Sequence, residues 1–366
     1  MKIAIIGTRG IPNNYGGFEQ FADVVSQMWV TAGHEVSVYC PHNHPYTSEE
    51  FNGVHRIIIN DPEERMGTVG QFLYDLRCIR DARKRNFDIF LQLGYTSSSV
   101  WGFLFPKKTC VITNMDGLEW KRAKYGKTVK AFLKTAEKWA VKQSHAMVAD
   151  SRGIQSYLQE TYKKDSDFIA YGAALYNEEA NSSLPAKYNS LKPYQYDLVI
   201  TRFVADNNLE MILDGYLLSE QKHPLIMLGN SKNEYGLFLR SKYKNDSIVF
   251  EDPNFNMNEL NELRAFSRLY FHGHSAGGTN PSLLEAMASN ALLCVHNNAF
   301  NNSVIEGNGF HFENANDVAT LMNKTIQKEE FTSWIEGNRN LIENKYSWNF
   351  ISSCYLDLFQ RMLNSK

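Results

Sequence analysis

Residues Phe271–Ala288 (FHGHSAGGTNPSLLEAMA) read as the end of a strand, a loop of small residues and the start of a helix. The apolar run Arg268–His272 has strand character and stops at His272. The loop that follows carries no bulky side chain, so backbone can approach a ligand closely there. Asn280 is an expected N-cap, with Pro281 at the first helical position, where its missing N–H costs nothing. Glu285 then lies one turn into the helix. Its two carboxylate oxygens suit two neighbouring hydroxyls, and a ribose diol has that arrangement. In open parallel sheets, ligands bind outside the carboxyl ends of the strands.

The same strand–loop–helix unit recurs in both directions along the chain. On the N-terminal side, Lys2–Gly7 (KIAIIG) reads as a buried strand, Gly17–Gly33 as a helix and Glu35–Cys40 as a second strand. Further strands are expected at Val54–Asn60, Phe87–Leu93, Cys110–Asn114 and Ala146–Asp150, with helices between them at Thr68–Arg85 and Thr128–Gln143. The polar stretch Tyr176–Pro193, with two prolines, breaks the pattern and reads as a linker. The alternation then restarts. Strands are expected at Tyr196–Thr201, Pro224–Gly229, Ser247–Phe250, Arg268–His272, Ala291–His296 and Gly309–Phe312. Helices are expected at Asn207–Ser219, Asn256–Ser267 and Pro281–Ser289, and Asp317–Leu363 reads as helix after helix.

This alternation predicts an α/β protein with two Rossmann-like domains, each a mostly parallel sheet. The expected boundaries are residues 1–175 for the first domain, 176–193 for the linker and 194–344 for the second. At 366 residues, the length agrees with about two domains.

Composition excludes several classes. Hydrophobic residues make up 43% and charged residues 21%, with a formal net charge of −2, so neither a uniformly basic nucleic-acid binder nor an acidic tail is expected. The five cysteines (Cys40, Cys78, Cys110, Cys294, Cys354) are scattered and contain no CxxC pair, which argues for a reducing compartment rather than a disulfide framework. No run approaches 18 apolar residues, and the N-terminus lacks a signal-peptide pattern. A cytoplasmic protein is expected. His272 and His274 fall on one face of a strand, but no third ligand stands at a useful spacing, so no metal site is predicted.

The loop after the first strand, Gly7–Glu19 (GTRGIPNNYGGFE), is rich in glycine and opens a helix. Its spacing departs from GxGxxG, and Cys40 and Pro41 stand where a dinucleotide fold places an acid, so NAD is not expected. Either Gly16 and Gly17 bring backbone amides to the diphosphate of a nucleotide-linked substrate, with Arg9 adding charge, or they only make a turn.

The segment GGTNPSLLEAMA resembles the signature of retaining GT-B glycosyltransferases of family 4, in their rhamnosyltransferase-like subgroup. MKIAIIGTRGIPNNYGGFE, NMDGLEWKRAKYG and YDLVITRFVADNNLEMIL resemble the same subgroup, in the expected order from residue 1 to about residue 320. The resemblance implies a GT-B fold, a nucleoside-diphosphate sugar as donor and no obligatory metal or other cofactor. It also implies a final helix, about 345–366, that crosses back to the first domain.

Carried over position by position, the second motif Glu, which holds the donor ribose, matches Glu285. The first would fall at Gly277 and is absent. Contacts to the donor sugar are then expected from the amides of Gly278 and Thr279 or from the Asn280 side chain. His274, Ser282 and Leu283 complete the expected donor side. The diphosphate-binding Arg matches Arg202, while Asn207 stands in place of the Lys. Asp116 is the candidate nearest in position for the role of a first-domain His. With it, Glu19, Trp120, Lys121 and Arg122 form the expected acceptor side.

The resemblance thus implies transfer of a sugar, rhamnose as the first guess, with retention of configuration. The acceptor would be a saccharide or lipid-linked saccharide, in surface polysaccharide synthesis. Two alternatives stand beside it: a nucleotide-sugar epimerase of GT-B-like fold and a non-catalytic sugar-nucleotide-binding scaffold. The residues also admit plainer roles. Glu285 can be a solvated helix residue, Arg202 a surface ion-pair former and Asp116 an Asx-turn residue.

The average charge conceals one uneven segment. Residues 119–143 (EWKRAKYGKTVKAFLKTAEKWAVKQ) hold eight cations and two acids, or +6, which leaves −8 on the rest. Lysines 130, 134, 138 and 142 fall on one helical face, and Trp120, Tyr125, Phe132 and Trp139 are interleaved. The segment reads either as a solvated face over a packed helix or as an interfacial element against anionic lipid. The second reading places the protein peripherally on the inner face of the cell membrane. Nucleic acid is not an expected partner.

Overall fold

The computed structural model describes residues 1–121, 125–176, 184–188, 190–220, 223–275 and 278–365. The chain divides into two compact units, Met1–Tyr171 with Trp348–Lys366 and Gly172–Ser347. Eight of the eighteen residues read as a linker, 177–183 and 189, lie outside the described residues.

The first unit is built on eight strands: β1 (Lys2–Ile6), β2 (Glu35–Pro41), β3 (Glu50–Phe51), β4 (Val54–Ile59), β5 (Ile89–Leu93), β6 (Cys110–Asn114), β7 (Ala146–Ala149) and β8 (Asp167–Phe168). Their order is β3-β4-β2-β1-β5-β6-β7-β8. Every pair is parallel except β3 with β4. Ile3–Ile6 of the central β1 are all buried, as a strand covered on both faces requires. Helices α1 (Gly17–Thr31), α2 (Glu63–Met66), α3 (Thr68–Ala82), α4 (Lys127–Gln143) and α5 (Arg152–Tyr162) form the connections. Ser151 caps α5 by accepting from the Ile154 N–H.

The second unit holds β9 (Asp197–Ile200), β10 (Leu225–Leu228), β11 (Ile248–Glu251), β12 (Leu269–His272), β13 (Leu293–His296) and β14 (Phe310–Phe312). Their order is β11-β10-β9-β12-β13-β14, with every pair parallel. The helices are α6 (Leu209–Leu218), α7 (Glu234–Lys242), α8 (Met257–Ala265), α9 (Pro281–Ala288), α10 (Ala299–Ile305), α11 (Ala315–Asn323) and α12 (Thr332–Leu341). Phe203, Leu213, Met227, Phe271 and Phe312 fill the core between sheet and helices. Beneath it the Arg268 guanidinium grips the Asp197 carboxylate through two hydrogen bonds, Nε–Oδ1 at 2.9 Å and Nη2–Oδ2 at 2.6 Å, both residues being buried. The same guanidinium donates to the Met322 and Lys324 carbonyls, which ties β9, β12 and the end of α11 together.

The last helix, α13 (Trp348–Asn364), belongs to the first unit. An aromatic cluster docks it on α1. The Trp29 and Phe359 ring centroids lie 5.2 Å apart, and those of Phe21 and Tyr355 5.0 Å. Such pairs add about 0.5–1.5 kcal/mol each beyond the area they bury. The Tyr355 hydroxyl also accepts from Asn114 Nδ2 at 3.0 Å, so the helix reaches the end of β6.

The expected strands and helices fall within a few residues of those observed. Besides the one-turn helix α2, four elements were not anticipated: the two-residue strands β3 and β8, and helices α7 and α10. Each of these two helices is announced only by a capping asparagine, Asn233 and Asn298.

Candidate functional site

At the carboxyl edge of the second sheet, two loops are stitched together. The loop after β9 carries Thr201, Arg202 and Asn207, and the loop after β12 carries Gly273, His274 and Ser275. Asn208 Nδ2 donates to the Gly273 carbonyl at 2.8 Å, and both Ser275 N and Oγ donate to the Asp206 carbonyl, at 3.0 and 2.8 Å. A Cβ at Gly273 would sit 2.2 Å from the Asn207 carbonyl oxygen, so this approach admits only glycine. Asn207, at the position where the resemblance led one to expect a Lys, is buried and acts as a tie. Its Nδ2 donates to Thr201 Oγ1 at 2.7 Å and to the Arg202 carbonyl at 2.8 Å. Arg202 itself is exposed, and among the described residues its guanidinium pairs with no carboxylate.

His272 and His274 stack with ring centroids 4.2 Å apart and planes 13° from parallel. Burial, and then the Arg264 charge, hold the His272 imidazole down at about 3, so it is neutral at physiological pH. His274 Nε2 lies 3.4 Å from Thr201 Oγ1, and its carbonyl accepts from Asn298 and Asn301. Among the described residues no group of three His, Cys, Asp or Glu could hold a metal ion.

Helix α9 begins as expected. Asn280 caps it by accepting from the Ser282 N–H at 3.0 Å, and Pro281 stands at the first helical position. Glu285 is neither a freely solvated residue nor an unattended one. Its Oε2 accepts from Nη2 of the fully buried Arg264 on α8, whose Nη1 in turn donates to Asn261 at 3.1 Å. Arg264 thereby fixes the direction of the carboxylate, a role that sequence reading missed.

Two expected donor contacts need correction. The Ser282 hydroxyl points inward, 2.7 Å from the Tyr270 hydroxyl and 3.0 Å from the Ile200 carbonyl. Leu283 is fully buried, and its N–H donates to the Asn280 carbonyl at 3.0 Å, so neither its side chain nor its amide is directed to a ligand. Thr279 is buried and Gly278 half-buried just before the cap. Gly277 lies outside the described residues.

The first unit corrects the reading of its glycine loop. Gly7, at φ +85° and with the Leu93 carbonyl oxygen 2.1 Å from where a Cβ would stand, lets β1 turn out of the sheet. At the other end, Gly16 is the N-cap of α1 and Glu19 is the third helical residue. The Glu19 carboxylate turns back on the loop: Oε1 accepts from Arg9 N at 2.6 Å, and the Gly16 amide also bonds it. This is half of a capping box. An internal carboxylate therefore stands beside Gly16 within the loop. Glu19 is 5% exposed and organises the loop rather than meeting an acceptor; burial pushes its carboxyl up. Arg9 does not add a free charge either, because its guanidinium is held by both oxygens of Glu63, at 2.7 and 2.8 Å.

Asp116 follows β6 in the left-handed region, at φ +51°, and its N–H donates to Asn114 Oδ1 at 3.0 Å. The Asx turn is thus closed by Asn114, and the half-buried Asp116 carboxylate stands beyond it. Its charge adds to burial in pushing the fully buried Asp150 carboxyl at the end of β7 well up, a coupling that sequence reading did not find. Trp120 Nε1 donates to Glu137 Oε2 at 3.1 Å. The same buried carboxylate accepts from the hydroxyls of Tyr95, Tyr157 and Tyr162. Lys121 and Lys134 lie over the Trp120 ring, at 5.5 and 4.7 Å from its centroid. Arg122 lies outside the described residues.

Two sheets, parallel but for the edge pair β3 and β4, each with its chemistry-bearing loops at the carboxyl edge and with the final helix returned to the first unit, define the GT-B fold. The comparisons agree. Residues 1–174 match a family model described as a domain of unknown function, DUF1972. A glycogen synthase of Oceanobacillus iheyensis is 22% identical over 222 residues, 51% of this chain, and the match spans only 46% of that protein. Among solved structures, a sucrose-phosphate synthase from Thermosynechococcus elongatus superimposes with a TM-score of 0.81 at 13% identity, covering 100% of both chains. Anabaena Alr3699/HepE in complex with UDP-glucose gives a TM-score of 0.74 at 13% identity, again over 100% of both chains.

Proposed function

We propose that this chain is a retaining glycosyltransferase that moves a sugar from a nucleoside diphosphate to an acceptor hydroxyl. One observation carries the reading. Beside each other in the sheet, β9 leads to the unpaired cation Arg202 and β12 leads to α9, where Arg264 aims the Glu285 carboxylate. A diphosphate needs the first and a ribose diol the second. The glycogen synthase match and the UDP-glucose in a structure of the same fold support the reading.

In the reaction the anomeric carbon–oxygen bond to the diphosphate breaks, and the acceptor oxygen forms a bond on the same face. Negative charge grows on the leaving diphosphate, where Arg202 and the α9 dipole stabilise it. Glu285 holds the ribose. Asp116 is assigned to orient the acceptor hydroxyl or take its proton. The donor sugar proposed first is rhamnose and the acceptor a saccharide or lipid-linked saccharide of a surface polysaccharide; no metal is required. A thermal-shift series with UDP, dTDP and GDP and their sugars tests donor binding. A ligand at about 100 times its dissociation constant adds roughly 2.7 kcal/mol of stability. At least one nucleotide is expected to raise the melting temperature, and the absence of any shift at millimolar ligand would refute the assignment.

The exposed face of α4 supports a peripheral membrane contact. Lys127, Lys134, Lys138 and Lys142 are exposed there together with Val129, Phe132 and Trp139, while Leu133, Ala136 and Ala140 turn inward. No helix among the described residues is long and apolar enough to cross a membrane. Flotation with vesicles rich in acidic lipid is expected to carry the protein upward, and neutral vesicles to leave it behind. Equal behaviour with both would remove the contact.

A further inference from the structure

A small polar cavity of about 150 Å³ opens at the carboxyl edge of the first sheet, between the loops that follow β1, β2 and β4. Arg9, Asn14, Tyr15, Asn43, His44 and Asp61 line it, and Pro41 and Pro45 form part of its wall. At roughly 30 Å³ per water, this is the space of about five waters, the scale of one sugar ring rather than of a chain.

The cavity has a fixed floor. His44 Nδ1 accepts from the Tyr46 N–H at 3.1 Å and faces Arg56 Nη2 at 3.2 Å, so this nitrogen carries no proton. Its Nε2 is then the protonated one, and it donates to the Pro12 carbonyl at 3.1 Å. Burial first, and the Arg56 charge with it, lower the proton affinity of the imidazole. The buried Arg56 also donates to the Ile11 carbonyl at 2.7 Å and to the Ser48 carbonyl. One imidazole and one guanidinium, the latter carried on β4, thus tie the loops after β1 and β2 together before any ligand arrives.

The charges around the cavity decide what enters it. Both oxygens of Glu63 hold Arg9, and Asn43 Nδ2 is bound to Glu64 at 2.8 Å. Asp61 adds a carboxylate, one oxygen of which accepts from the Glu63 N–H at 2.8 Å. Counting Arg9 and Arg56 against Asp61, Glu63 and Glu64 leaves −1, which repels phosphate and carboxylate groups. The Arg9 guanidinium lies over the Tyr15 ring, which is 60% exposed, with 4.5 Å from carbon to centroid. An aromatic platform beside amides and a carboxylate suits the C–H face and the hydroxyls of an uncharged sugar.

We infer that this cavity is a subsite for one neutral sugar residue of the acceptor, stacked on Tyr15 and hydrogen-bonded by Asn14, Asn43 and Asp61. The inference deepens the transferase reading and rests on it for the word acceptor. Glu19 and Trp120, expected on the acceptor side from the sequence, are engaged within the fold, so this cavity takes over that role.

The test uses the full chain and saturation-transfer NMR with methyl glycosides of neutral hexoses, 6-deoxyhexoses and N-acetylhexosamines. Methyl glucuronide and glucose 6-phosphate serve as anionic probes. Neutral glycosides at tens of millimolar are expected to receive saturation from the protein and the anionic probes not to. Tyr15→Ala, at an exposed position, is expected to weaken the neutral signal about threefold to tenfold, and Asn43→Ala to weaken it as well. Melting temperature and the UDP-dependent shift should stay unchanged in both variants. Saturation of no neutral glycoside, a preference for the anionic probes, or neutral signals unaltered in both variants would overturn the subsite. A melting-temperature shift with any of the three nucleotides but no glycoside signal defeats this inference alone, whereas no shift with any nucleotide and no glycoside signal defeats the transferase reading as well.

Discussion

Replacing Arg202 by alanine is expected to lower kcat/KM for the nucleotide sugar by about 10²–10³, the range seen when one donor to a developing oxyanion is removed. The expectation follows from isolation. Asn207 stands where the sequence resemblance implies a second cation, and its side chain is turned into the loop to bond Thr201 and the Arg202 carbonyl. No carboxylate among the described residues competes for Arg202, so its charge is available to a diphosphate. Because the side chain is exposed, its loss should change stability by no more than about 0.5 kcal/mol. Nucleotide release followed in a coupled assay reads the first effect and thermal melting the second. Unchanged turnover would remove Arg202 from the leaving-group side and leave that charge without a protein cation.

The second large effect concerns the Arg264–Glu285 pair. Arg264 is 1% exposed and Glu285 12%. Removing one member takes from the other its charged partner in a largely buried place, which typically costs about 3–5 kcal/mol. Arg264→Met is therefore expected to destabilise the protein by about that amount and to weaken donor binding through a carboxylate that has lost its direction. Glu285→Ala confounds the two roles, since it strands the Arg264 cation. Glu285→Gln retains a hydrogen-bond acceptor for Arg264, so the fold should survive while the donor KM rises. The double variant Arg264→Met/Glu285→Leu should recover most of the lost stability and none of the ribose binding. A donor KM unmoved in Glu285→Gln would exclude the ribose role, and a melting temperature unmoved in Arg264→Met would show that the pair does not hold the helix.

The parts of the fold that were readable from sequence are those dictated locally. Asn280 and Pro281 announce α9 because capping is a short-range matter of unpaired N–H groups. The fully apolar Ile3–Ile6 announces a strand covered on both sides. Helices α7 and α10 are short, and their capping asparagines were the only local signals. The site was less legible because its ties are distant in sequence. Glu63 reaches Arg9 across 54 residues and Arg264 reaches Glu285 across 21. Glu19 was within reach of sequence reasoning. It stands three residues after the capping Gly16, the spacing at which a helix carboxylate returns to its own N-terminus. Glu137 also carried a signal, as the lone acid among Leu133, Ala136 and Ala140 on the inward face of α4. The substitution of Asn207 for a Lys reads in sequence as a missing cation, and in the structure it also supplies a buried tie.

The central claim is tested most directly by analysing products. The protein is incubated with radiolabelled nucleotide sugars, dTDP-rhamnose first and then UDP- and GDP-sugars, with and without saccharide and lipid-linked acceptors. The account predicts label in a new glycoside with its anomeric configuration retained, release of the nucleoside diphosphate, and at most slow hydrolysis when the acceptor is withheld. A sugar that is isomerised without any acceptor, or one that is bound and returned unaltered across the acceptor series, would contradict it.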